Sequence, residues 1–210
     1  PGTFILSTRS TQIAANNTAW AAFPPSRLYF YMGGTSMATP LTSCAVAVIR
    51  EYLRTKQKIA SPSAALLKAT LILGCDRLAG YASATALQDN QQGYGRVNLD
   101  AVLAPASPAK SVFRDDKTGL RTGQVRSSTL QIKSNQVPLR LVLAYSDYPG
   151  ASLVNNLNLI VTDPNGKRYV GNQATPGSTG LDATNNVEVI RVSKPPAGTW
   201  TIELVASNVP

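Results

Sequence analysis

Apolar positions change their period near the middle of this chain. Up to about residue 103 they recur at helical spacing, and beyond residue 109 they alternate one by one. Residues 3–7 are short and apolar, which predicts a buried parallel strand. Residues 28–32 predict a second strand, running into Gly33 and Gly34. A long apolar run begins after Ser36. Met37, Leu41, Cys44, Ala45, Val48 and Tyr52 form one stripe, while Ala38, Val46, Ile49 and Leu53 fill much of the remainder. A helix apolar nearly all round predicts a core helix, here turning polar only over residues 54–58. Pro40, about one turn in, removes a backbone donor. Ser61-Pro62-Ser63 predicts the start of a second helix with proline at an early helical position, and Gly74 its end. Residues 9–27 and 81–92 read as loops, and residues 98–103 as a short closing helix.

Helical spacing stops at Ala104-Pro105-Ala106-Ser107-Pro108, where small residues and two prolines predict a short, stiff linker. The expected organisation is therefore one domain over residues 1–104, a linker over 105–109 and a second domain over 110–210. In the second domain Leu139, Leu141 and Leu143 alternate with Arg140, Val142 and Ala144, and Leu157, Leu159 and Val161 with Asn158, Ile160 and Thr162. Trp200, Ile202, Leu204 and Ala206 share one face of a third strand. Asp163-Pro164-Asn165-Gly166 reads as a hairpin turn, and Pro195-Pro196-Ala197-Gly198 turns the chain before the Trp200 strand. Short strands at regular spacing predict an all-β sandwich or jelly roll.

Composition adds a few exclusions. Apolar residues make up 43% of the 210 and charged residues 15%, which describes a globular protein with a rather uncharged surface. No apolar run approaches the roughly 18–20 residues of a membrane span, and no signal peptide is visible. Twenty Lys and Arg against eleven Asp and Glu give +9, which raises the question of nucleic acid. Apart from Arg50, Arg54, Lys56 and Lys58 at one helix end, the cations are scattered singly, and no aromatic-interleaved basic strip appears. A nucleic-acid partner is not expected. Cys44 and Cys75 sit in apolar surroundings, where free cysteine acts as a small hydrophobe.

The candidate chemistry lies at Gly33-Gly34-Thr35-Ser36-Met37-Ala38-Thr39-Pro40. Strand, tight turn and helix would place Ser36 at a helix N-terminus, where unpaired N–H groups and the helix dipole favour an oxyanion. The plainer reading is that Thr35 or Ser36 only caps the helix. The octapeptide resembles the nucleophile motif of the subtilisin-like serine proteases, the subtilases, with Met37 matching the methionine after the nucleophile. Ala38 stands where an α/β-hydrolase elbow would carry its second glycine. Pro1-Gly2-Thr3-Phe4-Ile5-Leu6-Ser7 is similar to the family's strand before the serine segment. Gly93-Tyr94-Gly95-Arg96-Val97-Asn98 is similar to the segment closing its catalytic domain. The second half resembles the β-barrel of the large, oxidation-stable alkaline subtilases.

The resemblance implies a fold: the α/β C-terminal portion of a subtilisin-like catalytic domain, then an all-β jelly-roll or β-sandwich domain. It implies a secreted serine endopeptidase acting on protein or peptide substrates, with Ser36 as nucleophile. The Ser36 N–H and the Thr35 hydroxyl would serve as oxyanion donors. The family's Asp and His belong upstream of the serine, and this chain has no histidine. The 210 residues are therefore expected to be a fragment, inert alone, whose partner is the upstream part of the same protease, or which self-associates. The barrel is expected to stabilise the catalytic unit across a fixed interface.

Asp147, Asn156, Asn158, Asp163, Asn165, Asp182, Asn185 and Asn186 fall in or beside the loops of the β half. Hard oxygen donors of this kind suit calcium, and Asp147, Asn156, Asp163, Asp182 and Asn185 are the candidate ligands of a structural ion. Asp163 and Asn165 are equally explained as turn residues. No cofactor is expected in catalysis. The competing reading of the whole chain is a non-catalytic binding or assembly module of a pseudoprotease, in which Ser36 is a helix cap.

Overall fold

The computed structural model describes residues 2–14, 16, 17, 20–80 and 87–210. They form two compact units, Pro1–Val48 and Ile49–Pro210. In the first unit β1 (Ile5–Thr8) and β2 (Ala21–Ala22) flank β3 (Tyr29–Met32), and both run antiparallel to it. The expected parallel strand is thus antiparallel, and it is largely exposed, Leu6 included. A parallel return needs a crossover that travels back along the strand. Here Arg9 N–H closes the antiparallel ladder on the Leu28 carbonyl at 2.7 Å. Edge-to-face and tilted contacts gather Phe4, Trp20, Phe23, Tyr29 and Tyr31 around this sheet. The loop expected over residues 9–27 contains β2, and its residues 15, 18 and 19 lie outside the described ones.

Helix α1 (Thr35–Thr55) follows, and the expectation of a core helix needs correcting. Only Ile49 and Leu53 are buried, while Leu41 and Val48 are each about half exposed. Apolar residues all round make a helix burial-competent, but burial needs neighbours on every side. The neighbours exist at its C-terminal turns, where Ile49 and Leu53 pack with Leu66, Leu99, Leu103 and Phe113.

The second unit continues with α2 (Ala64–Leu73). Its N-cap is Ser63, whose Oγ accepts the Leu66 N–H at 3.1 Å and donates to Asp115 Oδ1 at 2.6 Å. Pro62 therefore precedes the cap instead of standing inside the helix. Gly74 ends α2 as expected, for a reason of space: a Cβ there would lie 2.6 Å from the Asn98 carbonyl. β4 (Cys75–Asp76) pairs with β5 (Arg96–Val97), and α3 (Asp100–Leu103) is the short helix expected before the linker. Of the loop expected over residues 81–92, residues 81–86 lie outside the described ones, and 87–92 form turns and one bridge.

The β half contains β6 (Val125–Ile132), β7 (Leu139–Ala144), β8 (Asn156–Thr162), β9 (Arg168–Val170), β10 (Val187–Val192) and β11 (Gly198–Asn208). A four-stranded antiparallel sheet, β6-β11-β8-β9, and a two-stranded one, β10-β7, share a core. Leu159, Val161 and Trp200 from the first meet Leu139 and Ile190 from the second. Trp200 is fully buried and its indole N–H is satisfied by the Pro196 carbonyl at 2.9 Å. These six strands make two open sheets, without the eight strands of a jelly roll or a closed barrel among the described residues. The expected hairpin is present: Asp163 Oδ1 accepts the N–H groups of Asn165 and Lys167, and Gly166 takes a positive φ of 83°. β7 and β10 are covered on both faces. Val187 and Val189 turn away from the sandwich and pack with Ile72 of α2, with Val142 and Ala144 beside them.

Candidate active site

The turn before α1 is built by three glycines under different constraints. A Cβ on Gly33 would collide with the Trp20 ring, and one on Gly2 with the Gly34 carbonyl. Gly34 has a φ of +140°, which side-chain-bearing residues rarely adopt, and its N–H donates to the Gly2 carbonyl at 2.7 Å. The chain is thereby turned so that Thr35 is the first residue of α1 and Ser36 the second.

That placement separates the two readings of Ser36. A capping hydroxyl sits just before the helix and accepts an N–H two or three residues on. Ser36 lies inside the helix, is exposed, and its hydroxyl makes no hydrogen bond to any described residue. Hydroxyls one and two turns later are occupied: Thr39 donates to the Thr35 carbonyl at 2.9 Å and Ser43 to the Thr39 carbonyl at 3.1 Å. The N–H groups of Thr35 and Ser36 belong to the first turn, which lacks intrahelical acceptors. Pro40 brings no N–H to the Ser36 carbonyl, four residues before it. Ser36 thus offers a free hydroxyl beside unpaired donors at the positive end of a helix of 21 residues. No acidic residue stands in that first turn to offset the dipole. A shallow groove of about 500 Å³ runs along the same helix between Thr35 and Val46.

The candidate calcium ligands are distributed differently. Asp147 accepts the N–H groups of Val154 and Asn155 at 2.8 and 3.0 Å. Burial would raise its pKa, but these bonds prevail and hold it below the usual carboxylate range. Asp182 behaves alike: burial opposes ionisation, and bonds from Asn172, Asn185 and Thr184 outweigh it. Asp163 serves its own hairpin. Asp182 and Asn185 come together in one loop, and Asn156 meets Asn158, whereas Asp163 stays within its turn. No three carboxylate, thiol or imidazole groups converge as a ligand set among the described residues.

The sequence gives Asn158 and Asp182 as oxygen donors but not the buried acid they meet, Glu188. Glu188 and Asn158 are both fully buried. Glu188 Oε2 accepts the Leu159 N–H, and the Asn158 amide lies 3.1 Å from Glu188 Oε1 and 3.2 Å from the Asp182 carbonyl. Burial pushes the Glu188 carboxyl up to about 8, against the pull of the Leu159 N–H and with help from Asp182. The signal was present, because period two places Glu188 on the same face as Ile190 and Val192.

Residues 6–95 match the subtilase family, a stretch that takes in β1, the Ser36 turn, α1 and α2. At the level of the family, this likeness is to serine proteases. The chain is also similar to the serine protease/ABC transporter B family protein tagA of Dictyostelium discoideum. The two are 26% identical, over 85% of this chain and 11% of that protein's length. The chain thus spans about a tenth of the relative it matches.

Among the described residues no helix is long and apolar enough to cross a membrane.

Proposed function

We propose that these residues carry the nucleophile of a subtilisin-type serine endopeptidase. The observation that supports this most directly is the free Ser36 hydroxyl, inside the first turn of α1, where a cap would have been engaged. Ser36 Oγ would attack the peptide carbonyl, and the unpaired Ser36 N–H, with the Thr35 hydroxyl, would receive the developing oxyanion. A serine hydroxyl near neutral pH needs a base to take its proton. With no histidine in the 210 residues, the base and the Asp that orients it come from a segment preceding this one in the parent protease. Secretion, protein or peptide substrates and dependence on that segment belong to the same proposal. The β half packs against α2 through Val187 and Val189, and the stabilising role expected of it belongs to the same proposal.

The absence of histidine also favours a second reading, a non-catalytic assembly module. Fluorophosphonate labelling separates the two. The chain alone is expected to resist the reagent, and a longer polypeptide that includes the upstream sequence to be labelled at Ser36, with Ser36→Ala abolishing the label. An unlabelled longer polypeptide would establish the assembly module instead.

A further inference from the structure

Arg140 of β7 and Arg191 of β10 are direct cross-strand partners. Both lie on the face that carries Val142 and Val189, next to α2. Like charges opposed in an antiparallel ladder repel, and burial strengthens the repulsion. The Arg191 guanidinium is half-buried; that burial, then Arg140, then Arg77 hold its pKa below the usual arginine range.

The surrounding groups offset this repulsion only in part, Asp76 acting on Arg191 against Arg140 and Arg77. Arg77 is committed to Asp89 and to the Gly93 carbonyl at 2.8 Å. Arg140 reaches Asp76 at 3.6 Å and the Cys75 carbonyl at 3.5 Å, and Asp76 is shared with the Asn98 amide at 2.7 Å. Arg191 makes no hydrogen bond or ion pair with any described residue. Three guanidinium groups against two carboxylates leave this cluster one negative charge short. Arg140, with 37% of its side chain exposed, gives access from solvent.

We propose that Arg191 and Arg140 form a receptor for one carboxylate group. The guanidinium fork matches a carboxylate through two parallel N–H···O bonds. A single negative charge neutralises the cluster, whereas a dianionic phosphate would leave an excess beside Asp76 and Asp89. The site is independent of Ser36 and does not rest on its chemistry.

The test uses the full 210-residue chain at pH 7 and acetate as the probe, with chloride at matched ionic strength as the reference. The arginine Nε–H resonances are followed by NMR. Arg140 and Arg191 are expected to shift saturably with acetate and not with chloride. Arg191→Gln should weaken acetate by about tenfold, the factor for one charge-assisted hydrogen bond. In chloride at low ionic strength Arg191→Gln should also melt above the parent, because it removes the opposed charge. Arg140→Gln, altering the exposed member, should weaken acetate by a similar factor and covers the case in which Arg191→Gln fails to fold. Equal shifts in acetate and chloride, or acetate affinity left unchanged by both substitutions, overturn the proposal. Binding of inorganic phosphate more than tenfold tighter than acetate overturns the assignment to a carboxylate.

Discussion

Glu188 offers a direct test of how the β sandwich is packed, because it is a fully buried acid on the core-facing side of β10. Burial lifts its carboxyl from the ordinary 4.5 to about 8. Below pH 4.5 folded and unfolded chains both hold the proton, and the group makes no difference to stability. Between 4.5 and about 8 the unfolded chain releases its proton first, so stability falls as pH rises. Above about 8 the loss is complete. That rise, at about 1.36 kcal/mol per pH unit, caps the effect at about 5 kcal/mol. Relaxation and water entry reduce it. Glu188→Gln keeps the shape and the acceptor for the Leu159 N–H while removing the titration. Denaturant unfolding at a series of pH values is the assay. Parent and variant should lie within about 1 kcal/mol of each other at acid pH, and the variant should be ahead by several kcal/mol at alkaline pH. A gap between them that stays constant across the series would refute the reasoning, because only titration of this carboxyl makes the gap depend on pH.

Two further outcomes follow from the helix cap and the sandwich. Ser63→Ala removes the acceptor for the Leu66 N–H and the donor to Asp115, and should cost about 1 kcal/mol in urea unfolding; Asp115→Ala should be partly redundant with it in a double-mutant cycle. In a longer protease containing this segment, deletion of the residues after Pro108 uncovers Ile72 and removes the Asp115 contact. Melting temperature and lifetime against self-digestion should fall while the chemical step on a small peptide is nearly unchanged; loss of protein cleavage without loss of stability would make the sandwich a substrate-binding module.

Much of the local structure follows from residue type alone. Gly33 and Gly34 before a hydroxyl and an apolar run can only turn a strand into a helix. Asp163-Pro164-Asn165-Gly166 specifies its hairpin, and the alternation around Trp200 specifies a strand with one buried face. These are short-range effects, set by backbone freedom and side-chain period. Direction and burial are not. Residues 3–7 carry no information on whether their neighbour runs parallel, and only the folded pair shows β1 antiparallel to β3. The apolar content of α1 shows what it could bury, whereas the tertiary structure decides that only Ile49 and Leu53 are covered. The free hydroxyl of Ser36, two residues past the cap position, is likewise a matter of where the helix begins. Arg140 and Arg191 stand 51 positions apart in the chain, and the pairing register of β7 with β10 alone sets them face to face. Opposition across a ladder depends on register, and register is a property of the folded pair of strands.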